Sequence, residues 1–391
     1  MASLLIIGAG AIGRGYLPWM FTPGRYDFVF VDRDPAIIAR MRAAGGYSTW
    51  RVRNDRLEQR VVPVRAACMP EEFSLLAYPD IAAVFINVGP RHAARAAAIL
   101  GSSSLPVILC ENDPAAVAAV QAACPLERVY FAVPDVITSN TAPAALLAQD
   151  PLAIVSEDGA LFLDNAVTAA DLDGELQRLP RTELINTQWT AKLYLHNTPH
   201  CVAAYLGALL GVRFVHEAMH HPEADRIVQG AMDEMLRALK LSWDIPHRFL
   251  DWYAAKEMQR FRCRHLHDPI TRVAREPLRK LEPGGRLMGA AQMCLSMGFV
   301  PNNLLTGIAS AMLFENRDDA DYHLSFMRRA LPLDGYLTHV LNLRAGESLE
   351  IVLRERLDGI MARLAALRGQ GRQDGQGGDP DGDPGEGRAY G

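Results

Sequence analysis

Through the first 150 residues, short runs of consecutive apolar positions alternate with Ala-rich stretches of helical spacing. The runs are "SLLIIG", "DFVFVD", "IAAVFINV", "PVILCE" and "RVYFAV". A strand covered on both faces needs an unbroken apolar run, and such strands alternating with helices predict a parallel, doubly wound sheet. "GGYSTWRVRNDRLEQRVVPVRA" breaks the rhythm, because polar and apolar residues alternate there. That pattern predicts an antiparallel pair. Further on, "LAIVSEDGALFLDN" predicts a hairpin that belongs to the same domain or its edge. From about residue 186 the period turns helical, with helices predicted near 199–212, 222–241, 246–262, 286–298, 302–315, 317–331 and 347–367. The fold class is therefore α/β: an N-terminal doubly wound sheet over 1–185 and a mostly α-helical C-terminal domain over 186–368. Residues 369–391 are Gly, Asp and Pro with almost nothing to bury, which predicts a disordered tail without a function.

The chain has 391 residues, 49% of them hydrophobic, enough for two domains with substantial cores. Its formal net charge of -5 comes without long basic runs, so no nucleic-acid partner is expected and a small soluble ligand is. No stretch approaches the roughly 20 uninterrupted apolar residues of a membrane span. The opening "MASLLIIGAGAIGRG" reads as a strand and not as a secretory signal. Both points predict a cytoplasmic protein with no membrane partner. Six cysteines lie far apart with no C-x-x-C pair, which signals neither a disulfide framework nor a zinc site. They are expected to be reduced and mostly buried, and no metal is expected.

The first chemical motif is "LLIIGAGAIGRG", with Gly8, Gly10 and Gly13 in G-x-G-x-x-G spacing after a buried strand and before an apolar helical stretch. A second strand follows and ends in Asp32, about 20 residues on, as a Rossmann-type dinucleotide site requires. Gly8 permits the tight turn, Gly10 lets backbone amides approach a pyrophosphate, and Gly13 lets helix and strand pack closely. Ala11 and Ile12 complete the expected phosphate turn, whose helix N-terminus faces the phosphate charge. A carboxylate at Asp32 accepts from the adenosine ribose and repels a 2′-phosphate, which favours NAD over NADP. Asn87, Val88 and Gly89 end a later strand, and Glu111 and Asn112 end the next. All five are candidates for cofactor contact at the carboxyl edge of the sheet, where open α/β sheets bind ligands.

The second motif is "AKLYLHNTPH", which crowds Lys192, Asn197 and His200 into nine positions. Pro199 argues against a continuous helix, so a bend is predicted at 197–198 with Thr198 as N-cap and Pro199 at the first helical position. Alcohol oxidation needs a base for the hydroxyl proton and donors for the oxygen, and a partly desolvated lysine can be that base. Lys192 fits this role. The competing reading is a solvated lysine, a turn asparagine and a satisfied core histidine. In "ITRVAREPLRKLEPGGR", Arg272, Arg275 and Arg279 fall on one helical stripe with Lys280 nearby. Such a stripe is either a solvated face or a site for a phosphorylated substrate.

The Lys, Asn five residues on and His three further, followed by "CVAAYLG", resemble the catalytic segment of the polyol-specific long-chain dehydrogenases. "GAGAIGRG", "NVGP" at 87–90, "CEN" at 110–112 and "REPLRKLEPGGRLMG" at 275–289 resemble their blocks in the same order. The resemblance spans most of residues 3–367. It implies metal-independent interconversion of a polyol phosphate and a ketose phosphate with NAD, with Lys192 as general base and Asn197 and His200 holding the reacting oxygen. Substrate contacts are then expected at Asp135, Arg275, Arg279 and Lys280, in a monomer or small homo-oligomer. An unphosphorylated polyol or a hexuronate is the alternative substrate, and a non-catalytic NAD(H)-sensing protein the alternative class. Two departures stand out. Pro199 replaces a small residue, and "VPDVIT" at 133–138 replaces a more usual Asp-Arg pair, which leaves Asp135 without its arginine.

Overall fold

The apolar runs become strands in a computed structural model that describes residues 2–54 and 56–374. In chain order the strands are β1 (Ser3–Ile7), β2 (Asp27–Val31), β3 (Gly46–Arg53), β4 (Arg56–Cys68), β5 (Ile81–Ile86), β6 (Val107–Leu109), β7 (Val129–Asp135), β8 (Ile154–Glu157), β9 (Ala160–Asp164) and β10 (Leu176–Leu179). They form one sheet in the order β10-β9-β7-β6-β5-β1-β2-β4-β3-β8. β1 lies parallel to both β2 and β5, and the parallel set extends to β4 on one side and to β6 and β7 on the other. The chain thus winds outward in both directions from β1. Alternate residues of the central strands feed two cores: Leu4, Ile6, Phe28, Phe30 and Phe85 on one face, Leu5, Ile7, Val29, Val84 and Ile86 on the other. Burial on both faces is why these strands read as unbroken apolar runs.

The alternating stretch forms the expected antiparallel pair, β3 with β4. The expected hairpin at 152–165 does not form. β8 instead pairs in parallel with β3, and β9 pairs antiparallel with β7. β8 also bridges, through Ser156, to Thr138 just beyond β7. Gly159, between them, passes so close to that end that an added Cβ would lie 2.3 Å from the Asp135 carbonyl oxygen.

By contacts the chain divides into one unit of Met1–Asn197 with Leu239–Arg272 and another of Thr198–Ala238 with Val273–Gly391. The break therefore falls between Asn197 and Thr198 and not at 185/186, and the helix His247–Phe261 belongs with the sheet. In the second unit, Thr198–Leu210 is crossed by Asn302–Met312 so closely that a Cβ on Gly307 would lie 2.5 Å from Val202. The helix predicted at 317–331 is shorter, Leu324–Ala330. Its acidic start is used elsewhere: Asp319 and Asp321 accept from the backbone amides of Glu276 and Leu278. The last helix runs Ser348–Asp374, so residues 369–374 are helical and not part of a tail. The remainder of the predicted tail lies outside the described residues. Among the described residues no helix is long and apolar enough to cross a membrane. Cys110, Cys124, Cys201 and Cys294 are buried, Cys68 and Cys263 partly so, and none of the six is in a disulfide.

Candidate active site

β1 ends at the glycine turn, and three of its glycines have separate reasons. Gly8 has φ +100°, a left-handed conformation that side chains rarely adopt. A Cβ on Gly13 would lie 1.9 Å from the Gly8 carbonyl oxygen and 2.7 Å from Asn87 Oδ1. Gly10 is different: a Cβ there would meet only Asn140 Oδ1, at 3.6 Å. Space above Gly10 is open, as a phosphate approaching the backbone would need. The helix after the turn is not the regular one expected. Ala11–Tyr16 is a π-type segment and Leu17–Met20 a 3₁₀ turn. Pro18 has no N–H to give the Arg14 carbonyl, which accepts at 2.7 Å from the Tyr47 hydroxyl, while Thr49 Oγ1 donates to Gly15 O at 3.0 Å. Ala11 and Ile12, in the first turn, are half-buried.

Asp32 follows β2, and its carboxylate accepts from the Ala9 amide at 2.5 Å and the Asp34 amide at 2.9 Å. The sheet order thus puts the carboxylate against the glycine turn. Asn87 follows β5 and donates from Nδ2 to Ile7 O at 3.0 Å, tying the β5 end to the β1 end. Its Oδ1 is buried with no hydrogen-bond partner. Glu111, buried after β6, accepts from the amides of Val88 at 2.9 Å and Gly89 at 3.0 Å. Burial raises its carboxyl to about 7, against the pull of those two amides. Glu111 therefore holds the 87–89 loop in shape, and those two amides are already engaged. Asn112 is exposed, and its carbonyl accepts from Trp189 Nε1 at 3.2 Å.

Lys192 opens a π-helical segment, Lys192–Asn197, and no non-helical residue separates Asn197 from the helix Thr198–Leu210. Helical residues thus run through 197–198, where the sequence predicts a bend, without interruption. The Thr198 hydroxyl donates to Arg286 O at 2.7 Å. The Lys192 side chain is buried and its Nζ donates to the Pro134 carbonyl. Burial lowers the ammonium to about 8; Asp135 works against that shift and Arg260 with it. Asn197 is half-buried, at the end of the same segment.

Asp135, the last residue of β7, does not lack an arginine. Its Oδ1 accepts from Arg260 Nη1 at 2.8 Å and from the Tyr253 hydroxyl at 3.1 Å, and its Oδ2 from Lys256 at 2.6 Å. Burial would raise this carboxyl, but Arg260 and Lys256 hold it well below the usual carboxylate range. Arg260 reaches on to Glu157, from Nε at 2.7 Å, and to Glu257. Glu257, wholly buried, takes His196 Nδ1 at 2.5 Å on its other oxygen. Donors from its own chain thus engage both oxygens of Asp135, the residue expected to contact substrate.

In the second unit, His200 lies buried in the first turn of Thr198–Leu210. The arginine stripe is broken, because Glu276 adopts φ +55° before Pro277 and leaves two short helices, Ile270–Ala274 and Pro277–Leu281. Arg272 belongs with the first unit, where it pairs with Asp268. Arg279 pairs with Glu276 at 2.9 Å, and Lys280 is buried, donating to Val273 O at 2.7 Å and to Arg275 O. Burial lowers the Lys280 ammonium to about 8. Arg275 is exposed. Arg286, half-buried, donates to Cys201 Sγ at 3.8 Å, which puts its guanidinium beside the turn that carries His200.

Sequence reasoning missed Glu157, His196, Tyr253, Lys256, Glu257 and Arg260. One signal was available. In "LDWYAAKEMQRF" the charged Glu257 and Arg260 fall on the stripe formed by Leu250, Ala254, Met258 and Phe261, and charges on an apolar stripe need buried partners.

Known proteins resemble this chain over most of its length. The profile of the mannitol dehydrogenase C-terminal domain matches residues 186–326, which include Lys192, Asn197, His200 and Arg275–Lys280. A mannitol-1-phosphate 5-dehydrogenase of Bacillus licheniformis is 30% identical over 371 residues, covering 88% of this chain and 97% of that protein. One of Caldanaerobacter subterraneus subsp. tengcongensis is 28% identical, over 82% and 88%. Among solved structures, the Pseudomonas fluorescens mannitol 2-dehydrogenase ternary complex with NAD and D-mannitol superposes with a TM-score of 0.69 at 18% identity, covering 94% of each chain. A D-sorbitol dehydrogenase in substrate-free form gives 0.61 at 14%, over 81% of each. With a relative 30% identical across nearly its whole length and the C-terminal domain profile matched in place, the chain belongs to the mannitol dehydrogenase family.

Proposed function

We propose that this protein is an NAD-dependent, metal-independent oxidoreductase that interconverts D-mannitol 1-phosphate and D-fructose 6-phosphate. The observation that carries the reading is Lys192: a buried amine with weakened proton affinity, in the same compact unit as the glycine turn and Asp32. The relatives named mannitol-1-phosphate 5-dehydrogenase supply the substrate. The residues fit the cofactor. Gly10 leaves room where a Cβ would intrude on a pyrophosphate, Asp32 offers a ribose acceptor, and the orphaned Asn87 Oδ1 is a buried acceptor beside the turn.

In oxidation, NAD supplies the hydride acceptor. Neutral Lys192 takes the hydroxyl proton, and Asn197 and His200, five and eight residues further along, hold the oxygen as its charge changes. In the reverse direction the Lys192 ammonium returns that proton to the carbonyl oxygen. Gly8, Gly10, Ala11, Ile12 and Gly13 form the phosphate turn, with Asn87 and the 87–89 loop toward the nicotinamide ribose, Glu111 shaping that loop, and Asn112 at its outer border. For the substrate phosphate, Arg275 is exposed, while Arg279 and Lys280 must give up existing partners.

A panel of ketoses and ketose phosphates tests the reading through the loss of NADH absorbance. Fructose 6-phosphate is expected to turn over far faster than fructose. Equal rates would instead favour an unphosphorylated polyol, and no turnover with any of them a cofactor-sensing role. Asp32→Ala is expected to weaken NAD more than NADP, since it deletes a ribose acceptor and relieves repulsion of a 2′-phosphate. An unchanged ratio of the two dissociation constants would assign the preference to another residue.

A further inference from the structure

Five charged side chains converge behind Lys192: Asp135, Glu157 and Glu257 as acids, Lys256 and Arg260 as bases. We infer that Arg260 is a positioning residue for the reaction, holding Asp135, Glu157 and Glu257 as fixed anions and so setting the charge environment of the Lys192 amine. The inference rests on Lys192 being the base.

Arg260 is 6% exposed, and each nitrogen of its guanidinium has a carboxylate partner. It joins three elements: the end of β7 through Asp135, the end of β8 through Glu157, and its own helix through Glu257. Glu157 Oε2 also accepts from the Ile137 amide at 3.1 Å, so the fork closes the segment that follows β7. The Lys192 Nζ takes its acceptor, the Pro134 carbonyl, from the residue directly before Asp135. A displaced Asp135 would therefore displace the acceptor of the amine.

The charges explain why such a hub is needed. Asp135 and Glu257 are buried and Glu157 half-buried, so each carboxyl would hold a proton more tightly if left alone, and burial does push Glu157 and Glu257 upward. The guanidinium, which stays charged at every working pH, opposes that shift in all three. From the elements packed on it, Lys192 faces Asp135 and Cys110 at strand ends and Arg260 and Glu257 on the helix His247–Phe261. Asp135 strengthens its hold on a proton and Arg260 loosens it. Lys256 and Tyr253 bond Asp135, and His196, one turn along from Lys192, bonds Glu257.

The pH profile of kcat/KM for polyol oxidation, with NADH dissociation constants measured alongside to show intact folding, tests the inference. Arg260→Met removes a positive charge, so the base should keep its proton more tightly and the midpoint should rise by about one pH unit. Asp135→Asn removes a negative charge and should lower the midpoint by about the same amount. Arg260→Lys keeps the charge and loses the fork, so its midpoint should stay near wild type while kcat falls. Opposed shifts support the hub. Midpoints that stay put, or that move in the same direction, make Arg260 a structural residue only. If Arg260→Met does not fold, the fallback is a lowered kcat at an unmoved midpoint in Arg260→Lys together with a lowered midpoint in Asp135→Asn; a wild-type kcat in the first or an unmoved midpoint in the second overturns the inference. Lys192→Ala separates the two readings: near-normal turnover in that variant overturns both, whereas its loss with unshifted profiles overturns the Arg260 inference alone.

Discussion

Lys192→Ala is expected to lower kcat for polyol oxidation about 10²-fold or more, the usual scale for loss of a general base, with NADH affinity close to wild type. The sign of the pH dependence follows from the buried amine. Only its neutral form accepts the alcohol proton, so wild-type oxidation should rise with pH through a midpoint of about 8, the value to which burial lowers the amine. Ketose reduction needs the ammonium form and should fall through the same region. In Lys192→Ala both arms should flatten, because the titrating group is gone. Steady-state rates from mildly acidic to alkaline pH would measure this, with NADH fluorescence titration as the binding control. The two outcomes are independent, since the Lys192 amine reaches the end of β7 while the glycine turn follows β1. A folded variant with near-normal kcat would remove Lys192 from the mechanism and leave the segment as a buried helix face.

Gly13→Ala and Gly10→Ala are expected to fail in different ways although both lie in one turn. A Cβ on Gly13 would sit 1.9 Å from the Gly8 carbonyl oxygen and 3.0 Å from Ile6 Cγ2, so backbone must move. Overpacking against backbone costs about 3 kcal/mol, the upper part of the usual range. For a domain of this size, that corresponds to a Tm lower by about 10 °C. At Gly10 an added methyl meets nothing closer than 3.6 Å, and the residue has an ordinary φ of -78°, so stability should barely change. The methyl would stand where the cofactor phosphates approach, and the NADH dissociation constant should rise about tenfold or more, the loss of roughly one good contact. Thermal melts and NADH titrations of both variants check the pair. If Gly10→Ala binds NADH normally, the pyrophosphate does not pass over that residue.

Patterns that depend on neighbours along the chain are legible in the sequence itself. The unbroken apolar runs specified the central parallel strands because both faces of a doubly wound sheet are covered, and the alternation at 46–68 specified the β3–β4 pair. Glycine spacing and Asp32 located the turn, since a tight turn and a close helix–strand approach are local demands. Lys192, Asn197 and His200 stood out because polar residues crowd one apolar segment.

What tertiary structure alone decided was which charges meet. Asp135 looked stripped of its arginine because Val136 follows it, yet Arg260 arrives from 125 residues away on a helix that returns to the sheet unit. The arginine stripe at 272–279 looked continuous by period, yet a left-handed Glu276 before Pro277 divides it and gives its members separate partners. Glu111 looked like a ligand contact, yet it closes on the amides of Val88 and Gly89. The β8–β9 segment looked like a hairpin, yet the closer partners were β3 and β7. The physical reason is common to all four. Hydrophobic periodicity is a one-dimensional record of which face is buried, whereas ion pairs and strand partners are set by distances between segments far apart in the chain. Those distances exist only once the cores have packed.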